Sequence, residues 1–226
     1  MKHLRKFNSA DELLAWRMGS EHVTPNVVLT ADTGSVGYNV AAMSGVFIQH
    51  IDGRLFTMAE WEEGGYGASV ANGVAVIDSA AMFVIAKEQI SSGMTWSSNT
   101  STIVNGVLTS TTIATAKTDY AGEANTALIA AIDTSKAAYS CANYEFPNGQ
   151  KGYLPALGEW DVASKYKADI VSAMSLIEGD AIPTGYQWSS TQHSATKAWS
   201  INWSGTALSN RKDFSVYVRA FAALSL

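Results

Sequence analysis

Apolar residues alternate with polar or small ones through much of the chain after residue 45, which is the pattern of strands that bury one face. The segment 46–51 has this pattern and is followed by Asp52-Gly53 and then by 54–57. Because Asp-Gly between two such runs is typical of a tight two-residue turn, these residues predict a β-hairpin. Apolar runs at 73–77 and 82–86 predict two further strands.

Three- and four-residue spacings of apolar positions predict the helices. A helical turn is expected at 58–63, a helix over 114–132 with a second segment at 135–143, and another helix over 157–176. The segment 91–112 reads as loop or short edge strands. The predicted buried sides of the two long helices are Tyr120, Ala124, Ala127, Leu128 and Ala131 in the first, and Trp160, Ala163, Tyr166, Ile170 and Met174 in the second.

The last forty residues alternate again, with turns expected at Ser204-Gly205 and Ser209-Asn210. The apolar positions of this pattern are Trp188, Trp199, Ile201, Trp203, Val216, Val218, Phe221 and Leu224. Of the tryptophans, Trp188 and Trp199 are expected in the core, and Trp203 is the one we allow to be exposed. Helices followed by a β-rich end predict an α+β protein.

Residues 1–44 differ in character and predict a small separate module. Asn8 or Ser9 can cap a short helix over 10–17, and two short strands are expected at 26–30 and 36–39. The larger domain is therefore expected at 45–226.

The composition of the 226 residues excludes some functions. A hydrophobic fraction of 47% with 15% charged residues indicates a packed globular protein. The net charge of −5 gives no attraction to phosphate backbones, so nucleic acid is not an expected partner. The few basic residues near the end, Arg211, Lys212 and Arg219, are interpreted as solvated surface charge. Neither a secretory signal nor a membrane-spanning run is recognised, so membrane insertion is not expected.

Cys141 is the single cysteine and lies among small apolar residues, which predicts a buried, inert thiol. No intrachain disulfide can form. One short internal similarity joins Trp96-Ser97-Ser98 to Trp188-Ser189-Ser190, and it is too short to indicate a repeat architecture.

Four motifs together resemble a known family. They are the run FPNGQKGYLPALGEW at 146–160, WSSTQ at 188–192, Ala198-Trp199, and VRAFAAL at 218–224. Their order resembles the C-type-lectin-fold domain of variable proteins diversified by retroelements in gut Bacteroidales and their phages. The resemblance implies a C-type lectin fold over 45–226, with a variable region at about 187–217. Residues 1–44 are similar to the leader of Bacteroides phage and mobile-element structural proteins, which implies an attachment or assembly module.

In that family, copying errors at template adenines change asparagine codons into a restricted set of residues that never includes Trp, Lys or Gln. The resemblance therefore implies that Trp188, Trp199, Trp203, Lys197 and Lys212 are framework. The implied ligand-facing, variable residues are His193, Ser194, Thr196, Ser200, Ser204, Thr206, Ser209, Asn210, Arg211, Asp213, Phe214, Ser215 and Tyr217.

The resemblance implies a hypervariable receptor-binding protein at a phage tail tip or a comparable surface assembly. Its partner would be a protein or a surface glycan, its location the exterior of a virion or host cell, and residues 1–44 could join copies into a homo-oligomer. A non-diversified structural virion protein is the main alternative.

Enzymatic activity is not expected. The formylglycine-generating type of the same fold superfamily needs a pair of cysteines, and this chain has one. A hydrolase could use paired carboxylates, for which Glu62 with Glu63 or Glu159 with Asp161 are the candidates. Acidic residues so placed on helices are mostly solvated, so this activity is not expected either. The calcium-binding motifs of sugar-binding lectins do not occur, and Phe146-Pro147-Asn148 matches one of them only in part. Neither a metal nor a cofactor is expected.

Overall fold

The computed structural model describes residues 27–29, 36–38, 44–132 and 136–224. Strands β1 (Val27–Leu29) and β2 (Val36–Tyr38) pair antiparallel, which confirms the two short strands predicted in this part. The helix predicted over 10–17 lies outside the described residues. Residues 46–225 form a compact unit of their own.

One five-stranded sheet carries the predicted hairpin. It consists of β3 (Gly45–His50), β4 (Leu55–Phe56), β5 (Ala71–Ile77), β6 (Met82–Ala86) and β12 (Phe221–Ala223), in the order β12-β6-β5-β3-β4. The hairpin turn needs a glycine, because Gly53 has a φ of 91°. The predicted strands of this sheet are confirmed.

A second five-stranded sheet holds the C-terminal stretch. It consists of β7 (Ser91–Met94), β8 (Gln187–Gln192), β9 (Lys197–Ile201), β10 (Ala207–Arg211) and β11 (Val216–Val218). The order is β10-β9-β8-β11-β7, so β7 is an edge strand, as its segment predicted. β8 and β11 run parallel, and the other neighbouring pairs run antiparallel.

The predicted turn at Ser209-Asn210 is wrong. Both residues lie inside β10, opposite Trp199 and Ala198 of β9. The turn between β9 and β10 is instead at 202–206, where Gly205 has a φ of 79°. The turn predicted at Ser204-Gly205 is therefore confirmed, and the second turn follows β10, at 212–214.

Both long predicted helices are interrupted. The α-helices of the described residues are α1 (Met58–Glu63), α2 (Ile113–Ala116), α3 (Gly122–Ala130), α4 (Ala137–Asn143), α5 (Leu157–Lys165) and α6 (Lys167–Leu176). The break between α5 and α6 falls at Tyr166, and the predicted buried side of this pair is confirmed at Trp160, Ala163, Ile170 and Met174. No helix in the described part of the chain is long and apolar enough to cross a membrane.

Asp119 explains the break before α3. Its carboxylate accepts hydrogen bonds from the Ala121 amide (3.1 Å), the Asn125 side chain (2.9 Å) and the Thr191 hydroxyl (2.8 Å). A continuous helix over 114–132 could not place Asp119 toward all three donors. The segment therefore turns at Asp119, and α3 starts at Gly122.

The predicted buried face of α3 is also wrong. Ala124, Ala127 and Leu128 are exposed, and the buried side holds Asn125 and Thr126 together with Ile129. Partners on other segments explain this inversion: the Thr126 hydroxyl, for example, donates to the Leu154 carbonyl at 3.1 Å and accepts from its amide at 2.8 Å.

Candidate binding surface

The strand β8, which opens the predicted variable region, is buried along its whole length. The Trp188 indole donates to the Met94 carbonyl at 2.8 Å, and the Trp160 indole donates to the Trp188 carbonyl at 3.0 Å. The Ser189 hydroxyl donates to the Trp199 carbonyl at 2.8 Å. β8 is therefore framework, and the surface that we expected over 187–217 can only begin after Gln192.

Residue types that the codon argument excludes from variation are mostly inside the protein. Trp188, Trp199 and Lys212 are buried, whereas Lys197 is half-exposed. Trp203, which we allowed to be exposed, is only 2% exposed and packs edge-on against Trp160 with ring centroids 5.1 Å apart. The expectation for Trp203 was wrong because α5 covers it.

The strand register divides the candidate residues between two ends of the sheet. Ile201 lies opposite Gln187 of β8 and Ala207 of β10, so the turn 202–206 extends beyond the start of β8. Ala198 lies opposite Gln192, so the turn 193–196 extends beyond its end. Five strand residues separate the two turns, which corresponds to roughly 16 Å. The candidates cannot form one surface.

One group of candidates collects beyond the end of β8. The Lys212 amide donates to the Thr196 carbonyl at 3.0 Å and thereby joins the turn 193–196 to the turn 211–215. Arg211 forms a two-pronged ion pair with Asp213, with Nε–Oδ1 at 3.0 Å and Nη2–Oδ2 at 2.5 Å. Its guanidinium also lies 5.9 Å from the ring centre of Phe214, which is 50% exposed.

Lys212 lies beneath these turns and is buried, so our interpretation of it as solvated charge was wrong. Its ammonium donates to the Thr102 carbonyl at 2.9 Å and to Gln192 Oε1 at 3.0 Å, and it lies 4.5 Å from the centre of the Trp96 ring. Desolvation by burial lowers the pKa of Lys212 to about 8. Arg219 is likewise buried, with carbonyl partners that include Ala86 at 2.9 Å.

A third segment, the loop 97–104, joins the same end of the sheet. The Gln192 side chain binds the backbone of Val104 twice, with Oε1 accepting from the amide at 3.0 Å and Nε2 donating to the carbonyl at 3.0 Å. Ile103 beside it is 44% exposed. We call the three segments 97–104, 193–196 and 211–215 the three-loop surface.

Sequence reasoning missed the loop 97–104, although one signal was present. The short similarity between the segments that begin at Trp96 and Trp188 marks two segments that lie side by side. The Trp96 indole donates to the Ser189 carbonyl at 2.7 Å, while the Trp188 indole donates to the Met94 carbonyl at 2.8 Å. The two tryptophans therefore tie their segments together reciprocally.

Ser204, Thr206 and Tyr217 lie at the other end of the sheet from the three-loop surface. Ser204 and Thr206 belong to the turn 202–206, where Asn202 Oδ1 accepts from both of their amides at 3.0 Å. Tyr217 lies in β11 opposite Gln187, at the start of β8 and not at its end.

The remaining candidates lie on strands or at their ends. Ser200 is 0% exposed, so it cannot face a ligand; its hydroxyl donates to the Leu208 carbonyl at 3.2 Å and accepts from the Asn210 side chain at 2.8 Å. Ser209 and Asn210 in β10 are half-buried. Ser215 is exposed at the end of the turn 211–215, next to the edge strand β7.

His193 begins the turn after β8, next to Trp199, with ring centroids 5.0 Å apart. Burial, and secondarily the charge of Lys197, lowers the pKa of His193. Its Nδ1 is enclosed without a hydrogen-bond partner. Ser194, next along the chain, accepts at its hydroxyl from the Lys197 amide at 3.2 Å and so shapes the turn.

Of the carboxylates considered for catalysis, Glu62 and Glu63 are exposed as expected, whereas Glu159 is buried, so its interpretation as a solvated residue was wrong. Glu159 Oε1 accepts from the Tyr153 hydroxyl at 2.9 Å and Oε2 from the Ala156 amide at 2.7 Å, which closes the start of α5. Burial raises the pKa of Glu159 to about 8. Asp161 pairs with Lys117 at 2.5 Å, and Glu62 and Glu63 are exposed.

Cys141 is fully buried, which confirms that part of its prediction, and desolvation raises its pKa well above the ordinary value. Within 44–132 and 136–224, no group of three or more His, Cys, Asp or Glu residues is placed to hold a metal ion. Comparisons of the chain with protein-family models, with curated proteins and with solved structures gave no match.

Proposed function

We propose that this chain is a binding protein whose contact face is the three-loop surface, displayed on a C-type lectin fold and diversified in sequence at the turns 193–196 and 211–215. The supporting observation is how burial divides the C-terminal stretch. Residue types that adenine-directed variation cannot produce, such as Trp188, Gln192 and Lys212, are buried. Most of the residues that it can produce lie on exposed or half-exposed positions.

The surface has the chemistry of an adaptable combining site. Exposed Phe214 offers apolar contact area, Arg211 offers charge and planar hydrogen bonding, and the hydroxyls of Ser194 and Thr196 can donate or accept. Beneath them lie buried tryptophans and the hydrogen-bonded side chains of Gln192 and Lys212. A rigid base with variable turns limits the entropy that is lost on binding.

The partner in this proposal is a protein or surface-glycan receptor, and the chain works outside the cell that makes it, on a virion or a comparable assembly. Residues 1–44 attach it to that assembly. If they join several copies, the assembly would bind its receptor with a higher avidity than the affinity of a single contact face. The proposal assigns no catalytic step, metal or cofactor to the chain.

Sequencing the DNA that flanks the gene tests the proposal. We expect a near-copy of the segment that encodes residues 187–217, beside a reverse-transcriptase gene. Differences between the two copies should fall at adenines of the template, and they should change codons of the turns and not those of Gln192, Trp199 or Lys212. A missing copy, or differences at random bases, would contradict diversification and favour a non-diversified structural protein of the virion.

A further inference from the structure

Lys212 has an unusual set of partners for a buried lysine. Its Nζ donates to a backbone carbonyl (Thr102) and to an amide oxygen (Gln192 Oε1), and its charge faces the Trp96 ring. Within the described part of the chain, no carboxylate lies within 4.0 Å of it. Burying a charged group without a counter-ion costs free energy, so an apolar side chain would be more stable at this position if packing were the only role of residue 212.

Each contact of Lys212 joins a different part of the three-loop surface. The side chain reaches the loop 97–104 through Thr102, and the backbone carbonyl accepts from the Trp96 and Ser97 amides at 2.8 and 3.2 Å. The backbone amide reaches the turn 193–196 through Thr196. Lys212 itself belongs to the turn 211–215, so one residue connects all three segments.

Gln192 completes the connection. Its Oε1 accepts from both Lys212 Nζ and the Val104 amide, each at 3.0 Å. The lysine thus gives Oε1 a second donor in the same orientation that the two Val104 hydrogen bonds require, because an ammonium can only donate. Without it, the loop 97–104 loses the side-chain hydrogen bonds that join Thr102 and Gln192 to the turn 211–215, so the segment that carries the Val104 amide opens more often.

We propose that Lys212 is a positioning residue, which holds the loop 97–104 against the two turns, and that this loop is a constant part of the contact face for a protein partner. The claim about the contact face rests on the proposed function, whereas the claim about Lys212 does not. The loop lies outside the diversified stretch, so its contact residues are inherited unchanged. Ile103 and Phe214 are both exposed and belong to two segments of the three-loop surface, and two exposed large apolar side chains suit the apolar side chains of a protein better than the hydroxyls of a sugar.

Amide hydrogen exchange measured by NMR on the full chain tests the positioning half. In Lys212→Met, which keeps the length and loses the donors, we expect the Val104 amide to exchange roughly tenfold faster. Lys197→Met is the matched control, because it removes a half-exposed lysine of the same region, and it should leave the Val104 amide unchanged. Lys212→Arg should restore at least part of the protection. Equal exchange in wild type and Lys212→Met would overturn the proposal.

A second readout needs no variant. The groups that can titrate around Lys212 are His193 and Lys197 near the first turn and Arg211 and Asp213 in its own turn; residues 96–104 contain none. If the loop 97–104 encloses the Lys212 side chain, the NMR chemical shift of the Val104 amide should change with pH, with a midpoint near the lowered pKa of Lys212, about 8. A midpoint close to 10.4, the ordinary pKa of a solvated lysine, would show that the Lys212 side chain is not enclosed and would contradict its role as a positioning residue.

The contact half is tested with variants of the chain whose turns 193–196 and 211–215 are randomised, displayed on yeast and selected for binding to hen egg-white lysozyme. In selected clones, Ile103→Ser should weaken binding about tenfold, while Ile132→Ser, an exposed isoleucine outside the three-loop surface, should not. If Ile103→Ser leaves the lysozyme affinity of the selected clones unchanged, the loop 97–104 is not a constant part of the contact face. If no clone binds lysozyme, the proposed function itself is contradicted, and the exchange measurement still decides the role of Lys212.

Discussion

The strand β8, Gln187–Gln192, and the turns 193–196 and 211–215 are both rich in hydroxyl, amide and charged side chains, yet the strand is buried throughout and the turns are largely exposed. In β8 the hydroxyl of Thr191 donates to Asp119 and accepts from the Leu157 amide, and the amide of Gln192 binds Val104. In the turns, Arg211 and Asp213 bind mainly each other.

The difference lies in the partners and not in the composition. A polar side chain can be buried at little net cost if its donors and acceptors are satisfied, and in β8 the side chains of Ser189, Thr191 and Gln192 all find partners on other segments. Once made, such a network resists substitution, because changing one member leaves another unsatisfied. Apart from the buried Lys212, the exposed residues of the turns carry no such constraint, so evolution could alter them while the sheet below stays the same.

The largest expected contrast concerns aromatic residues. Trp188→Ala should lower the free energy of unfolding by about 3–5 kcal/mol, because it removes a fully buried indole and its hydrogen bond to Met94. Phe214→Ala should change it by less than about 0.5 kcal/mol. Urea unfolding of both variants measures this difference. Similar losses of unfolding free energy in the two variants would contradict the distinction between strand and turn.

The second contrast concerns matched threonines. Thr191→Val should cost about 1–3 kcal/mol, because the Leu157 amide loses its acceptor and Asp119 loses a donor. The same substitution at exposed Thr196 should cost less than about 0.5 kcal/mol. Equilibrium unfolding checks both, and a neutral Thr191→Val would show that the buried network is not needed.

The third contrast concerns carboxyl groups. Burial raises the folded-state pKa of Glu159 above its unfolded value of 4.5, to about 8. The folded state therefore binds the extra proton between these values, so the contribution of Glu159 is present at low pH and is lost as the pH rises toward 8. The slope reaches ~1.4 kcal/mol per pH unit.

Glu159→Gln should flatten that decline in the free energy of unfolding measured between pH 5 and 8, about the window that the two pKa values bound. Asp213→Asn, at an exposed residue of the turn 211–215, should leave the slope as it is in the wild-type chain. An unchanged slope in Glu159→Gln would mean that this carboxyl is ionised in the folded protein.

The smallest contrast compares two serines. Ser200→Ala should cost about 1 kcal/mol, because the Asn210 side chain loses its acceptor and the Leu208 carbonyl loses a donor. Ser204→Ala, in the exposed turn 202–206, should be neutral within about 0.5 kcal/mol. Thermal unfolding of the pair would resolve the difference, and a neutral Ser200→Ala would return this residue to the set that can vary.

Features that depend on neighbours along the chain were predictable. The hairpin of β3 and β4 follows from Asp52-Gly53 between two apolar runs, and the helical turn α1 follows from its local pattern. The capping box of Thr57 and Glu60 adds to that turn, with the Glu60 amide donating to the Thr57 hydroxyl at 3.2 Å. Both depend on contacts a few residues apart.

Features that depend on distant pairing were not predictable. The break at Asp119 depends on Thr191, 72 residues later, and the burial of Lys212 depends on Thr102, 110 residues earlier. The division of the candidate residues between two ends of the sheet follows from the register of β8, β9 and β10. Local spacing contains no information on that register, so the single surface expected from sequence could not be divided in advance.

The turns 193–196 and 211–215 should accept substitutions that the strand β8 beneath them does not, and two libraries of the full chain measure this difference. One randomises Ser194, Thr196, Arg211, Asp213 and Phe214 with the codons that varied adenines of an asparagine codon can produce. The other applies the same codons to Ser189, Ser190 and Thr191. Displayed on yeast and challenged with protease, most members of the turn library should resist as the wild-type chain does, and few members of the strand library should. Equal survival of the two libraries, or a turn library that is mostly degraded, would contradict the account.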